Sequence, residues 1–207
     1  MDNTPETEEL EKRVPKKAQS TAADLYDWLE VFAMSVAIVF VIFAFVARVA
    51  VVDGSSMTDT LHDKDKLLVR ELFYTPKQGD IVVCQSEFFG FREPIVKRVI
   101  ATEGQTVKID FENWKVYVDG TELEEDYVKY IAGRPMNSWS YGESYTVPEG
   151  HIFVMGDNRN GSSDSRDYRL GTVDTRYVIG KAAFLIFPGP DYETEKRDFK
   201  RIGVIWS

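Results

Sequence analysis

One cysteine and two histidines are all that this 207-residue chain offers for soft metal ligation or redox chemistry. The lone Cys84 rules out an intrachain disulfide and any zinc site built from paired cysteines. His62 and His151 are too few for a histidine-based metal centre, so neither a metal nor another cofactor is expected. Positive charge is also scarce: 25 lysines and arginines stand against 34 aspartates and glutamates, a net charge of -9. A nucleic-acid partner needs a basic surface to meet phosphate, and this balance argues against one. Internal repeats are missing, and so is the alternation of strand and helix that a parallel sheet requires. The chemistry of this chain is expected to rest on its own side chains.

What the chain does have is a long apolar run near its start. Residues 1–20 are polar, contain Pro5 and Pro15, and change from acidic to basic at Lys12, Arg13, Lys16 and Lys17. That composition predicts a disordered tail. Thr21-Ala22-Ala23-Asp24 fits a capping box that opens a helix. From Val31 to Ala47 only Ser35 is polar; Arg48 interrupts, and Val49 to Val52 continue the run. Seventeen helical residues span roughly 26 Å, and Arg48 can extend its charged end to the lipid interface. A buried core helix would show an amphipathic stripe, and none is present. A removable leader would end in a small-x-small site, but Ala47 is preceded by Phe45 and Ala50 by Arg48. The expected organisation is a cytoplasmic tail and helix start over 1–30, a single transmembrane anchor over 31–52, and an extracytoplasmic domain over 53–207. The orientation follows from the basic residues that precede the run.

Beyond Asp53 short apolar runs alternate with turn signals, the pattern of antiparallel β structure. Lys66–Leu72, Asp80–Cys84, Ile95–Ala101, Thr106–Phe111 and Trp114–Val118 read as strands, as do Thr121–Leu123, His151–Met155 and Val178–Phe187. Asp119-Gly120 predicts a type I′ hairpin turn. Tyr127–Tyr145 reads as a long surface excursion. The fold class expected is mainly β, an antiparallel catalytic domain preceded by one membrane helix. The roughly 155 residues after the run suffice for a real core.

Three segments carry possible chemistry. Gly54-Ser55-Ser56-Met57 follows the apolar run, where small residues also suit a plain linker. A serine hydroxyl becomes a nucleophile only beside a base. In a strand, Lys97 shares a face with Ile95 and Val99, while Arg98 shares the other with Val96 and Ile100. Strand parity does not choose between the two cations, but chemistry does: arginine stays protonated, whereas a buried lysine can lose its proton. A lysine whose head reaches solvent is the plainer alternative. The third segment, Gly156 to Arg166, crowds Asp157, Asn158, Arg159, Ser162, Asp164 and Arg166 after an apolar strand. Asp and Asn capping a polar turn explain part of it. A charge network that braces a site explains more.

Together these segments resemble the signature boxes of the type I signal peptidases, membrane-bound Ser-Lys proteases of the short, single-anchor bacterial type. Gly54 to Leu61 resembles the family's S-x-S-M-x-P-T-L, and Gln78 to Val83 resembles R-G-D-I-V-V. Lys97 to Gly104 resembles K-R-V-I-G-x-x-G, and Gly156 to Arg166 matches every fixed position of G-D-N-R-x-x-S-x-D-S-R. The boxes stand in family order across residues 53–187. The resemblance implies a nucleophile at Ser56 and a general base at Lys97, with Ser162 hydrogen-bonding and orienting the lysine. It further implies that Asp157, Asn158, Arg159, Asp164 and Arg166 brace the site, and that the Ser56 N–H donates to the oxyanion. The partners implied are signal peptides of exported preproteins and the lipid bilayer. Substrate would bind as an added strand with small side chains before the cut, against pocket walls at Met57 and Val96.

Two positions depart from that pattern. Gly54 replaces a serine that serves some members as a second oxyanion donor, and Asp59 replaces a proline. A histidine triad using His62 and Asp63 would leave the later loop without purpose, and Cys84 reads as a buried structural thiol. The alternative from another class is a membrane-anchored binding or assembly protein with a retired peptidase fold. Retirement would erase the nucleophile or the base first, and both persist.

Overall fold

Runs rich in valine and isoleucine, closed by Gly, Pro and Asp, produce twelve strands among the described residues of the computed structural model, which are 21–45, 47–86, 93–138, 142–191 and 194–206. The tail 1–20, expected to be disordered, lies outside them. Helix α1 covers Thr21–Phe45 and begins at the expected box, with Asp24 in its first turn where an acid suits the helix dipole. Ser35, the lone polar residue of the apolar run, donates its hydroxyl to Val31 O at 2.7 Å. Among the described residues no helix is both long and apolar enough to cross a membrane. The segment up to Ile42 and the rest of the chain are separate compact units.

The boundary expected after Val52 falls earlier. Ala47–Val51 form strand β1, which pairs antiparallel with β2, Lys66–Arg70. Valines at 49 and 51 favour the extended chain, the pairing satisfies their backbone, and the Arg48 guanidinium meets Glu71 at 2.7 Å. An apolar run alone does not separate helix from strand, which is why the division was invisible in the sequence.

The larger sheet also contains β3 (Ile81–Ser86), β4 (Glu93–Thr102), β9 (His151–Met155), β10 (Val173–Asp174), β11 (Val178–Phe187) and β12 (Gly203–Val204). Its order is β1-β2-β11-β3-β4-β9-β10, with β12 on β11. The smaller sheet runs β7-β6-β5-β8 from Thr121–Glu122, Lys115–Val118, Thr106–Asp110 and Ser144–Thr146. All pairings in both sheets are antiparallel. Asp119 and Gly120 both take positive φ, as the turn between β6 and β7 requires. The excursion read over Tyr127–Tyr145 ends in β8, which pairs with β5. Tyr145 is the one buried residue of β8, too little for a periodic signal, and Met136 is buried earlier in the excursion.

Strand β4 is central and positions the site. Val96 turns into an apolar cluster with Met57, Leu61, Val69, Val83 and Leu185, while Val99 turns into another with Val82, Cys84 and Val154. A bulge between Val99 and Ala101 then carries Ile100 and Ala101 into the cluster beneath the small sheet, with Ile109, Val116 and Phe153. Phe153 is fully buried against the Tyr145 ring at 5.1 Å. Replacing Phe153 with alanine is expected to destabilise the domain by about 3–5 kcal/mol, read by denaturant titration. A loss under about 1 kcal/mol would show that this cluster does not carry the small sheet.

Candidate active site

The segment from Val52 to Asp65 is a closed loop pinned at both ends. Val52 donates its N–H to Asp65 O and accepts from Lys64 N–H at its carbonyl, both at 2.8 Å. Met57 and Leu61 are sunk into the core, so the turn cannot lift away from the sheet. The buried Asp65 carboxylate accepts from His62 N–H, from Gly189 N–H and from both terminal nitrogens of Arg201. Gly54 has φ near +89, a conformation that resists side chains, and its N–H donates to Asp63. Ser56 sits half-buried on this turn.

Lys97 meets it from β4. Its Nζ lies 2.7 Å from Ser56 Oγ and 3.0 Å from Val96 O, with the side chain almost wholly buried. Burial pushes the lysine below its ordinary pKa, with help from the Arg166 charge. The charges at Asp164 and Asp157 oppose that fall without reversing it. Burial also pushes the Cys84 thiol up to about 12, so it stays protonated and inert near neutrality.

The loop after β9 grips the serine turn through its backbone. Asn158 N–H donates to Ser56 O at 3.1 Å, and Asn158 Nδ2 donates to Ser55 O at 3.1 Å. Asp157 is held by the Arg98 fork at 2.9 and 2.8 Å and by Thr60 Oγ1 at 2.6 Å. Asp164 receives Gly156 N–H and the fork of Arg166, while Arg166 Nη2 also donates to Arg159 O at 2.6 Å. Burial alone would raise the Asp164 pKa, but the Arg166 charge and these donors hold it below the usual carboxylate range. Arg159 is fully buried and bound by both oxygens of Glu125, whose charge outweighs the cost of burial and keeps the guanidinium protonated.

The structure therefore brings together Ser56, Lys97, Asp157, Asn158, Arg159, Asp164 and Arg166. Ser162 is in the same buried region, but its Oγ has no hydrogen-bond partner among the described residues, although Asp164 is near enough to feel its dipole. The bond expected from it to Lys97 is not made in this structure. Met57 and Val96 share one cluster, with Met57 offering almost no surface and Val96 a little more. Reasoning from sequence overlooked Thr60, Glu125 and Tyr127. The Tyr127 ring lies under the Arg98 guanidinium, 3.7 Å from centroid to Cζ. Its neighbours Glu124 and Asp126 carry no periodic or motif signal, so only contact could have found it. His62 joins the turn through its backbone, and His151 Nδ1 lies 2.8 Å from Glu149 O.

A serine hydroxyl held by a buried lysine is a hydrolytic geometry that needs no histidine. Residues 25–187 match the family described as signal peptidase, peptidase S26. A probable signal peptidase I-1 from Synechocystis sp. is 36% identical over 70% of this chain and 73% of its own length. Signal peptidase I from Bacillus licheniformis is 32% identical over 84% of this chain and 94% of its own. Signal peptidase I T from Bacillus subtilis is 31% identical over 88% and 95%. The chain belongs to the signal peptidase family, peptidase S26, and is a serine endopeptidase.

Gly156 supplies a test of this geometry. A Cβ at that position would collide with Ser162 Oγ and with Ser56 O. Gly156→Ala is expected to lower turnover by about 100-fold or more while the β domain stays folded, because the serine turn must shift. Turnover near the wild-type level would show that the two segments can separate without harm.

Proposed function

We propose that this chain removes N-terminal signal peptides from exported preproteins, using Ser56 as nucleophile and Lys97 as general base. The observation that carries the reading is the 2.7 Å contact between Lys97 Nζ and Ser56 Oγ at a lysine whose charge is disfavoured by burial. Neutral Lys97 takes the Ser56 proton as Oγ attacks the scissile carbonyl carbon. The tetrahedral oxyanion receives the Ser56 N–H, and Lys97 returns the proton to the departing amine. Water then enters, gives its proton to Lys97, and releases the acyl group from Ser56. Gly54 has no hydroxyl to offer as a second oxyanion donor. Ser162, with a buried hydroxyl that lacks a partner, orients Lys97 during this cycle. Asp157, Asn158, Arg159, Asp164 and Arg166 hold the loop that fixes Ser56.

Substrate lies extended as an added strand, with shallow pockets for small side chains on either side of one intervening residue, backed from beneath by Val96 and Met57, which are nearly closed to solvent. The apolar run that begins at Val31 serves as the anchor, with the tail in the cytoplasm and the domain beyond Asp53 outside. Support comes from its apolar residues, among which Phe32, Ile38, Phe40 and Val41 stand exposed, and from the internal bond that satisfies Ser35. Tyr26 and Trp28 precede them where aromatic side chains favour a lipid interface.

Ser56→Ala and Lys97→Ala are each expected to abolish preprotein cleavage in a folded protein. Lys97→Arg should be equally inactive, since guanidinium keeps its proton; cleavage by that variant would remove Lys97 from the base role. Activity should fall as pH drops through the lysine pKa, because the base is then protonated. The double variant His62→Gln with His151→Gln should keep the same acidic limb in its rate profile, and loss of that limb would return a histidine base. For topology, protease added outside intact protoplasts should digest residues beyond Asp53. Complete protection of that region would overturn the orientation.

A further inference from the structure

The buried site holds three guanidinium groups, Arg98, Arg159 and Arg166. Two are answered by carboxylates of the site loop itself, Arg98 by Asp157 and Arg166 by Asp164. Arg159 is answered from elsewhere in the chain, by Glu125 in the segment that follows β7. The contact is two-pronged, with Nη1 at 3.0 Å and Nη2 at 2.5 Å from the two carboxylate oxygens, and it is closed to solvent on both sides. Tyr127 OH donates to the same carboxylate at 3.0 Å while its ring underlies Arg98, and Lys129 N–H binds Asp157 O at 3.1 Å. Residues 125–129 thus form a strap fastened to the site loop at Glu125 and Lys129 and to β4 through the Tyr127 ring on Arg98.

We propose that Glu125 is a positioning residue of the reaction, the third counter-anion of the buried cluster, which fixes the backbone gripping Ser56 and the charge balance under which Lys97 works. This rests on the Ser56–Lys97 reading. Two physical routes lead from Glu125 to the dyad. The first is mechanical. Arg159 is tied to Gly156 O through Nε, to Asp157 O through its N–H and to Arg166 through its own carbonyl. Its neighbour Asn158 holds Ser56 O, so a displaced Arg159 carries the serine turn with it. The second is electrostatic. Around Lys97 stand Ser56 from the turn, Cys84 from β3, and Asp157, Asp164 and Arg166 from the loop, with Arg98 next to it on β4. Around Glu125 stand Arg159 and Tyr127, whose ring in turn underlies Arg98. The three arginines are matched one to one by Asp157, Asp164 and Glu125. Glutamine at 125 leaves the cluster with one more positive charge, which disfavours a proton on Lys97.

The test uses the full-length protein and a preprotein substrate, comparing Glu125→Gln and Glu125→Asp for kcat, KM and the midpoint of the acidic limb. Glu125→Gln is expected to lower kcat about 10-fold or more, change KM by less than about threefold, and move the midpoint to lower pH. Glu125→Asp keeps the charge and should keep the midpoint while lowering kcat less. A Glu125→Gln enzyme with wild-type kcat and midpoint overturns the proposal. Should Glu125→Gln leave Arg159 uncompensated and the protein unfolded, the double variant Glu125→Gln with Arg159→Gln carries the test. It restores neutrality but not the grip, so reduced kcat at a wild-type midpoint supports the proposal, and any other combination overturns it. Lys97→Ala run alongside separates the two readings. An active Lys97→Ala enzyme sinks the dyad, whereas an inactive one beside an unaffected Glu125→Gln sinks only the role of Glu125.

Discussion

The proposed dyad needs a lysine whose own positive charge is costly, and the pairing of charges around Lys97 is set by the same burial that imposes that cost. Lys97 is buried among the strands of the large sheet, which disfavours its charged form. The same burial would be ruinous for the arginines beside it, which cannot shed their protons. Each is therefore matched by a carboxylate through a fork of two hydrogen bonds, Arg98 with Asp157, Arg166 with Asp164 and Arg159 with Glu125. Low dielectric strengthens each pair and makes any broken pair expensive.

Rigidity also has to reach the serine. Ser56 is carried by a loop whose apolar residues, Met57 and Leu61, are buried in the core and whose far end is fastened by Asp65. Arg201, 136 positions away, closes a fork on Asp65 and so ties the end of the chain to the start of the domain. From the other side Asn158 takes the carbonyl of Ser56, and Gly156 permits that approach because it has no Cβ. Sheet, loop and terminal segment converge on one hydroxyl.

Much of the β architecture was open to reading from the residues. His151–Met155 and Val178–Phe187 form strands at the bounds expected, because valine, isoleucine and phenylalanine end there at glycine or proline. The Asp119-Gly120 hairpin follows from the positive φ that those residues tolerate. The strand over Ala47–Val51 was hidden inside an apolar run, where helix and strand look alike until a pairing partner is known. The strands at Val173–Asp174 and Gly203–Val204 are two residues each, too short for any period to show.

The sequence by itself determined the kinds of chemistry available: no disulfide, no histidine-rich centre, a serine turn, one lysine flanked by apolar residues and a loop dense in acids and arginines. Local pattern suffices for these, since residue type and spacing settle what a group can donate, accept or ionise. Only the tertiary structure decided which groups meet. Ser56 and Lys97 are 41 positions apart, and Arg159 and Glu125 are 34 apart. It also decided that Lys97 rather than Arg98 faces the serine, that Ser162 keeps its hydroxyl unpaired, and that an unremarked glutamate completes the cluster. Burial and charge pairing are properties of long-range contact. A lysine's pKa depends on what the fold packs around it, and no stretch of neighbouring residues contains that information.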